Sequence, residues 1–568
     1  MLPFPSISPR SLAAGLLVLA LSFASALPAA ADLPGELRAR LSAPQDEIWL
    51  GPIASDDREV LDTFYTGRRD AAVWFDPQGI TEKARQLSQV LLSAGEHGLE
   101  PDYYHAGRIA ELIENPGEES RAELELRLSL SLIRFASDLD SGRLDPRLVD
   151  PEHYSYPQNV DRAAVLPDSL AASDIWVYLR AFQPQQNEYV RLKGALSHYR
   201  SLAEGGGWAP IPEGETLKPG MTDPRVAALR GRLLLLGDLD EAAAQSVVEA
   251  GSGAIAAPAE GEAAAAAAPG ESYEGVLVAA LKRFQHRHGL TEDGAVGPKT
   301  LAALNVSAEQ RVEQIQLNME RRRWMADDRG GRYIFVNLAN FDAKIVDGLD
   351  TVFHTKVVVG DPYHRTPVFS DTMTYLEINP TWNVPESIAR KELLPKIREN
   401  PGYLAERNYT LLASWDQNAP TVDPHYIDWS QISASSFPFR IRQEAGAGNA
   451  LGRIKFMFPN EFNIYLHDTP SQSHFARSER AFSHGCIRVA KPLELAEALL
   501  KGQEGWDLER VRQQIESGET RTVSLDEPIQ VHISYITAWV NKDGAVHFRN
   551  DVYGRDELLA SALLGDRS

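Results

Sequence analysis

The period of the hydrophobic pattern changes once along this chain, and that change limits the fold more than any other feature. From about Asp32 to Gly207 the apolar residues recur mostly at helical spacing, whereas beyond residue 330 Ile334, Val336 and Leu338 alternate with Phe335, Asn337 and Ala339. Alternation of that kind marks strands. A helical region followed by a strand-rich one predicts a multidomain α+β protein. The length of 568 residues agrees, because roughly 150 residues per domain predicts three or four domains.

Within the helical part, residues 123–136 are ambiguous: Leu124, Leu126, Leu128, Leu130 and Leu132 also alternate as a strand would. A helix is the better reading, since Leu, Glu and Arg are good helix formers and Leu124, Leu128, Leu132 and Phe135 share a helical face. Three further helices are expected at 223–236, 273–288 and 298–304, interrupted by an Ala, Gly, Pro and Glu-rich insert at 247–271 that reads as a flexible loop, with a short helix over 262–268 as the alternative. A connecting helix follows at 308–329. The strand-rich region spans 330–555 and is broken at 385–452 by an insertion too long for a simple loop, of the kind that caps a site, with a surface decoration that has no gating role as the alternative; residues 556–568 read as a C-terminal tail.

The first 31 residues read as an export signal: Arg10 gives positive charge, Leu12 to Leu21 form an apolar run, and Ala29-Ala30-Ala31 ends it with small residues. Cleavage near Ala31 would leave a mature chain outside the cytoplasm with no stable membrane insertion, because no later stretch approaches the ~20 apolar residues a bilayer requires. The net charge of −22 argues against nucleic-acid binding. One cysteine in the whole chain excludes an internal disulfide, so Cys486 is either buried and inert or kept for reactivity.

The residues around Cys486 favour reactivity. In Phe462 to Asp468 the alternation puts Phe462, Ile464 and Leu466 on one face and Asn463, Tyr465 and His467 on the other; likewise Ile487 and Val489 alternate with Cys486 and Arg488. Thiol and guanidinium then share one side. A thiol needs a base to become a nucleophile at neutral pH. His467 at a strand end is the preferred base, with the carbonyl of Asp468 or a nearby residue fixing its tautomer, and His484 is the alternative. Gly485 allows close backbone approach, neighbouring amides would receive an oxyanion, and Arg488 is suited to a carboxylate. No CxxC or HExxH pattern supports a metal site, the other histidines (His97, His105, His153 and His198 among them) are scattered singly, and no cofactor is expected.

His467, a gap, and then Ser483-His484-Gly485-Cys486-Ile487-Arg488 resemble the signature of the L,D-transpeptidase (YkuD) catalytic domain. Phe284-Gln285, His288-Gly289-Leu290, Asp293-Gly294, Gly297, Thr300 and Ala303-Leu304-Asn305 resemble the small three-helix peptidoglycan-binding module, here over 213–307. Asn379-Pro380-Thr381-Trp382-Asn383-Val384-Pro385 and Gly205-Gly206-Gly207-Trp208 are similar to the large periplasmic members, which carry a helical N-terminal scaffold, here over 32–212, and a capping insertion. The resemblance implies a β-rich catalytic domain acting on peptidoglycan stem peptides and glycan in the periplasm. Cys486 would attack the third residue of a donor tetrapeptide, D-Ala would leave, and the amine of a second stem would take the acyl group in a 3→3 cross-link. It also implies acylation by carbapenems, carboxypeptidase or glycan-synthase partners, and substrate or oxyanion contacts at Ser483, Gly485, Arg488, Tyr465 and Trp382. A hydrolytic or lipoprotein-attaching enzyme of the same family, and a non-catalytic wall-binding scaffold, are the competing readings. Papain-like folds are disfavoured because they place Cys before His.

Overall fold

A computed structural model describes residues 32–43, 55–155, 157, 160–241, 272–325, 331–416 and 418–565. The expected export signal and the Ala-rich insert lie outside them. The fold is mixed α and β, with helices in the N-terminal region and a nine-stranded sheet beyond residue 330.

Helix α1 (Arg121–Ser141) runs through the middle of the helical region. Both the 124/128/132 set and the alternating 126/130 set are buried. A helix packed on all sides is apolar all round, which is why its sequence also reads as a strand. Its Glu125, wholly buried, accepts hydrogen bonds from the amides of Val73 (2.6 Å) and Trp74 (3.1 Å) and the hydroxyl of Tyr65 (2.8 Å). Burial still pushes its carboxyl up to about 7.

Three helices, Arg225–Leu235, Val276–Arg287 and Pro298–Leu304, enclose a separate small core that includes Leu229, Leu233, Leu281, Phe284 and Leu304. The stretch expected to be a connector is a strut. Helix α2 (Asn187–Glu204) packs against α3 (Ala308–Arg323), which starts at a Ser307/Gln310 capping box. Inside this packing Arg323 and Glu320 form a fully buried ion pair at 2.5 Å. Arg323 also donates to the His97 carbonyl and the Tyr189 hydroxyl, both at 2.9 Å, and Glu320 accepts the Leu144 amide at 3.0 Å. Asn318 and Thr537 exchange two hydrogen bonds of 2.8 Å, which fasten α3 to the strand-rich region. The expected tail instead forms helix α4 (Arg555–Leu564), with Leu559 and Leu563 buried against Leu317 and Trp324. Ion pairs from Arg555 to Asp150 (3.0 Å) and from Arg321 to Asp556 hold it down.

The strands of the large sheet are β1 (Arg332–Asn337), β2 (Asp342–Asp347), β3 (Asp350–Gly360), β4 (Phe369–Ile378), β5 (Ile454–Met457), β6 (Leu466–His467), β7 (Ala481–Ser483), β8 (Ile487–Val489) and β9 (Arg521–Ser534). Their order is β7-β3-β8-β6-β5-β4-β9-β1-β2, and β2 also pairs with β3, so the sheet closes on itself as a barrel. Alternation sends Ile334, Val336, Val357, Val359, Leu466, Ile487, Val489, Val531 and Ile533 into one core. Their neighbours in each strand face the exterior. The insertion between β4 and β5 has a core of its own, including Leu393, Leu411, Trp429 and Ile441, and a small sheet of Trp382–Asn383, Arg440–Gln443 and Tyr409–Leu412.

Candidate active site

Strand register builds the site. Parallel β6 and β8 pair Leu466 with Ile487 and His467 with Arg488, and the Ile487 amide donates to the Tyr465 carbonyl at 3.1 Å. Since Leu466 and Ile487 point inward, Tyr465, His467, Cys486 and Arg488 all stand on the exterior of the barrel. Antiparallel β5 adds Lys455 opposite His467, and β4 adds Glu377 opposite Lys455, 3.6 Å from it. The result is one row across four strands: Glu377, Lys455, His467, Arg488. The insertion covers it.

The predicted strand from Phe462 is shortened to Leu466–His467. Asn460 accepts the amides of both Phe462 and Ile464 at 3.1 Å and so forms a turn in which Asn463 takes a left-handed φ of 55°. That turn brings the Asn463 carbonyl to 3.6 Å from the Cys486 sulfur.

The loop between β7 and β8 is fixed from within. The buried Ser483 hydroxyl donates to the Cys486 carbonyl at 2.6 Å and receives the Gly485 amide at 3.2 Å, while Thr366 donates to the Gly485 carbonyl at 2.7 Å. Ser483 is therefore a brace, and the Gly485 amide is already engaged. Among the described residues the amide of Cys486 has no partner and remains for an oxyanion. Gly485 sits at φ 109°, a region closed to side chains, and a Cβ there would lie 3.3 Å from Ile464.

Cys486 is partly exposed, yet the protein crowded around its sulfur pushes the thiol above its ordinary value. Tyr465 opposes that rise through both its amide and its hydroxyl, and Lys455 and Arg488 add favourable charge. The Tyr465 hydroxyl in turn pairs with the Trp382 indole of the insertion. Lys455 lies over the Tyr465 ring, 4.2 Å from its centre.

His467 is buried, and its Nδ1 donates to the Asp468 carbonyl at 2.5 Å, which leaves Nε2 unprotonated. Burial first, then the charge of Arg488, lowers its pKa to about 3, against backbone contacts with Asp468 and Leu451. The imidazole is thus neutral at rest. No hydrogen bond joins it to Cys486 among the described residues. His484 points elsewhere, pairing with Glu392 of the insertion at 2.8 Å and lying 4.7 Å from the His364 ring.

Beside Arg488, a cavity of about 160 Å³ opens between the insertion (Tyr403, Arg407, Tyr409) and the loop after His467 (Thr469, Ser471). The Arg488 Nε is buried there without a partner. Sequence reasoning missed Arg407, Tyr403, Tyr409 and Lys455. Lys455 was within reach of the alternation rule applied to β5, but the other three lie in an insertion whose placement no local pattern reveals.

The module residues build the module. Phe284 is wholly buried and stacks on His288 at 3.8 Å. Gln285, also wholly buried, donates to Asp293 (2.9 Å) and receives the Gly294 amide (2.9 Å), so it holds the turn in which Gly294 has φ 73°. Gly297 caps the helix starting at Pro298. No group of three or more His, Cys, Asp or Glu able to hold a metal ion occurs among the described residues, and no described helix is long and apolar enough to cross a membrane.

Residues 331–512 match the YkuD family model, described as the L,D-transpeptidase catalytic domain. Residues 267–304 match that of a provisionally named peptidoglycan binding domain, and 59–196 that of a scaffold domain. The chain is 37% identical over 248 residues to a Haemophilus influenzae protein provisionally named an L,D-transpeptidase, covering 44% of this chain and 49% of that protein. It therefore spans about half the length of the curated relative it matches. Two solved L,D-transpeptidases also align: one from Xylanimonas cellulosilytica (14% identity, 57% of this chain, 99% of that one, TM-score 0.18) and one from Mycobacterium smegmatis (9%, 36%, 58%, 0.17).

Proposed function

We propose, on the premise that residues 331–512 carry a YkuD-family L,D-transpeptidase catalytic domain, that the chain joins peptidoglycan stem peptides by 3→3 cross-links through a thioester on Cys486. The observation that carries this is the register placing Tyr465 and His467 beside Cys486 and Arg488 on one covered face of the barrel. A donor carboxylate pairs with Arg488 in the cavity it shares with Arg407. As Cys486 attacks the carbonyl of the third stem residue, its proton passes to the free Nε2 of His467, the sulfur–carbon bond forms, and the oxyanion takes the Cys486 amide. The carbon–nitrogen bond to D-Ala then breaks, the proton returns to the departing amine, and the thioester remains. The side-chain amine of a second stem attacks the thioester, its carbon–nitrogen bond forms as the carbon–sulfur bond breaks, and His467 takes the amine proton and passes it to the departing sulfur, which restores the thiol. Thiol and imidazole are both neutral at rest, so the proton moves with the attack. The engagement of His484 with Glu392 supports His467 as the base. We further propose a periplasmic site of action.

The test is incubation of the protein with tetrapeptide muropeptides and mass spectrometry of the products, beside Cys486→Ala. Cross-linked dimers with released D-Ala are expected from the unmodified protein only. Monomeric tripeptide alone would make it a carboxypeptidase, and dimers persisting in the alanine variant would remove Cys486 from the reaction.

A further inference from the structure

A second, larger cavity, of about 660 Å³, opens where the three-helix module, the end of α3 and the barrel exterior meet. Its floor is the outer face of β1–β3, where Lys344 stands opposite His354 and Asp342 opposite Lys356. The module forms one wall, through Leu290, Glu292 and Lys299, and residues 476–480 form another. Those residues end the loop that leads from His467 to β7, and the start of the same loop, Thr469 to Ser471, lines the cavity beside Arg488. One loop therefore separates the cleft from the reacting face. The distance is short: Val358 pairs with Arg488, and Lys356 is two residues along the same strand, which puts the Lys356 and Arg488 backbones about 8 Å apart.

The cleft opposes the charge of the whole. In a chain of net charge −22, its lining holds seven Lys and Arg side chains against four carboxylates. Lys299 pairs with Glu479 across the mouth at 3.0 Å, Arg322 with Glu188, and His354 with Asp342 at 3.0 Å. Lys344, Lys356 and Arg477 form no ion pair among the described residues, Asp342 being engaged by His354. They rest instead against the Phe335 ring (5.0 Å), the Phe475 carbonyl (3.4 Å) and the Phe482 ring (5.0 Å). A walled groove focuses such a field on an anionic ligand.

We propose that this cleft docks a glycan strand through the carboxylates of its stem peptides, so that the polymer is held alongside Cys486 while one stem reacts. The inference rests on the peptidoglycan reading above. In the Cys486→Ala background, co-sedimentation of the full chain with purified sacculi across a salt series tests it, with Lys344, Lys356 and Arg477 all changed to Glu, and in a second variant all changed to Gln. The Glu variant is expected to bind about tenfold or more weakly and to lose most of the salt dependence, with the Gln variant in between. Sacculi stripped of stems by an amidase should hold the parent protein no better than intact sacculi hold the Glu variant. With Cys486 restored, the same changes should leave D-Ala release from a soluble tetrapeptide within about twofold. Equal binding by parent and Glu variants, or undiminished binding to stripped sacculi, would overturn the proposal. An unmodified chain that releases no D-Ala from any tetrapeptide would instead sink the enzymatic reading, whatever the binding shows.

Discussion

Replacing Tyr465 with Phe isolates one atom of the proposed machinery. The hydroxyl donates toward the Cys486 sulfur and so favours the thiolate in a place where burial disfavours it. A hydrogen bond to a charged group contributes about 1.5–3 kcal/mol, and one pKa unit corresponds to about 1.36 kcal/mol, so losing it raises the thiol by roughly one to two units. At neutral pH, below the thiol's pKa, the thiolate fraction then falls by about ten- to a hundredfold. Phe keeps the ring, and with it the Lys455 contact. The assay is alkylation by iodoacetamide over a pH series, followed by intact mass; with one cysteine in the chain, each adduct reports that sulfur alone. The midpoint of the rate profile should move to higher pH by that amount. A Tyr465→Phe profile lying on that of the parent, or moved to lower pH, would refute the assignment of the hydroxyl.

Gly485→Ala forces a side chain into φ 109° against Ile464, and should cost about 1–3 kcal/mol of loop strain and most of the acylation rate while the chain stays folded; unchanged acylation by mass spectrometry would contradict this. Glu320→Ala leaves Arg323 fully buried without its carboxylate and should lower unfolding free energy by about 3–5 kcal/mol in urea titration, a loss under 1 kcal/mol being incompatible with the buried pair. His153 is held near a pKa of about 3, first by burial and then by the charges of Arg555 and Arg321, so the unfolded chain gains a proton between pH 6.5 and 3 that the fold refuses. Its contribution to stability is therefore lost as pH falls through that window, and His153→Gln should reduce the slope of unfolding free energy against pH there by about one proton. An unaltered slope would count against it.

The arrangement of the segment around Cys486 was largely readable because its information is local. Alternation in Ile487 to Val489 and in Leu466-His467 gives the faces, and faces alone decide which side chains stand with the thiol. What the sequence could not show depends on closure over distance. The brace role of Ser483 follows from a loop bend, and the position of Arg407 beside Arg488 follows from how an insertion folds back. The left-handed Asn463 cut short a strand that alternation alone would extend. The last helix escaped notice because its burial is supplied by α3, roughly 240 residues earlier, and not by a strong pattern of its own.

Closure of the barrel also has a consequence for the order in which the chain acquires structure. β1 pairs with β9 from Tyr333 to Gln530 onward, and β4 pairs with β9 as well, so two earlier strands wait for the last strand of the sheet. The family match ends at residue 512, before β9 begins. A chain cut there would keep His467, Cys486 and Arg488 and still leave the outer edges of β1 and β4 unpaired, with the residues that Val531 and Ile533 cover opened to water. The insertion, whose hydrophobic core lies within its own stretch, can form that core early. The insertion's core is then ready before the barrel, and closure of the barrel is deferred until Ser534 has been delivered.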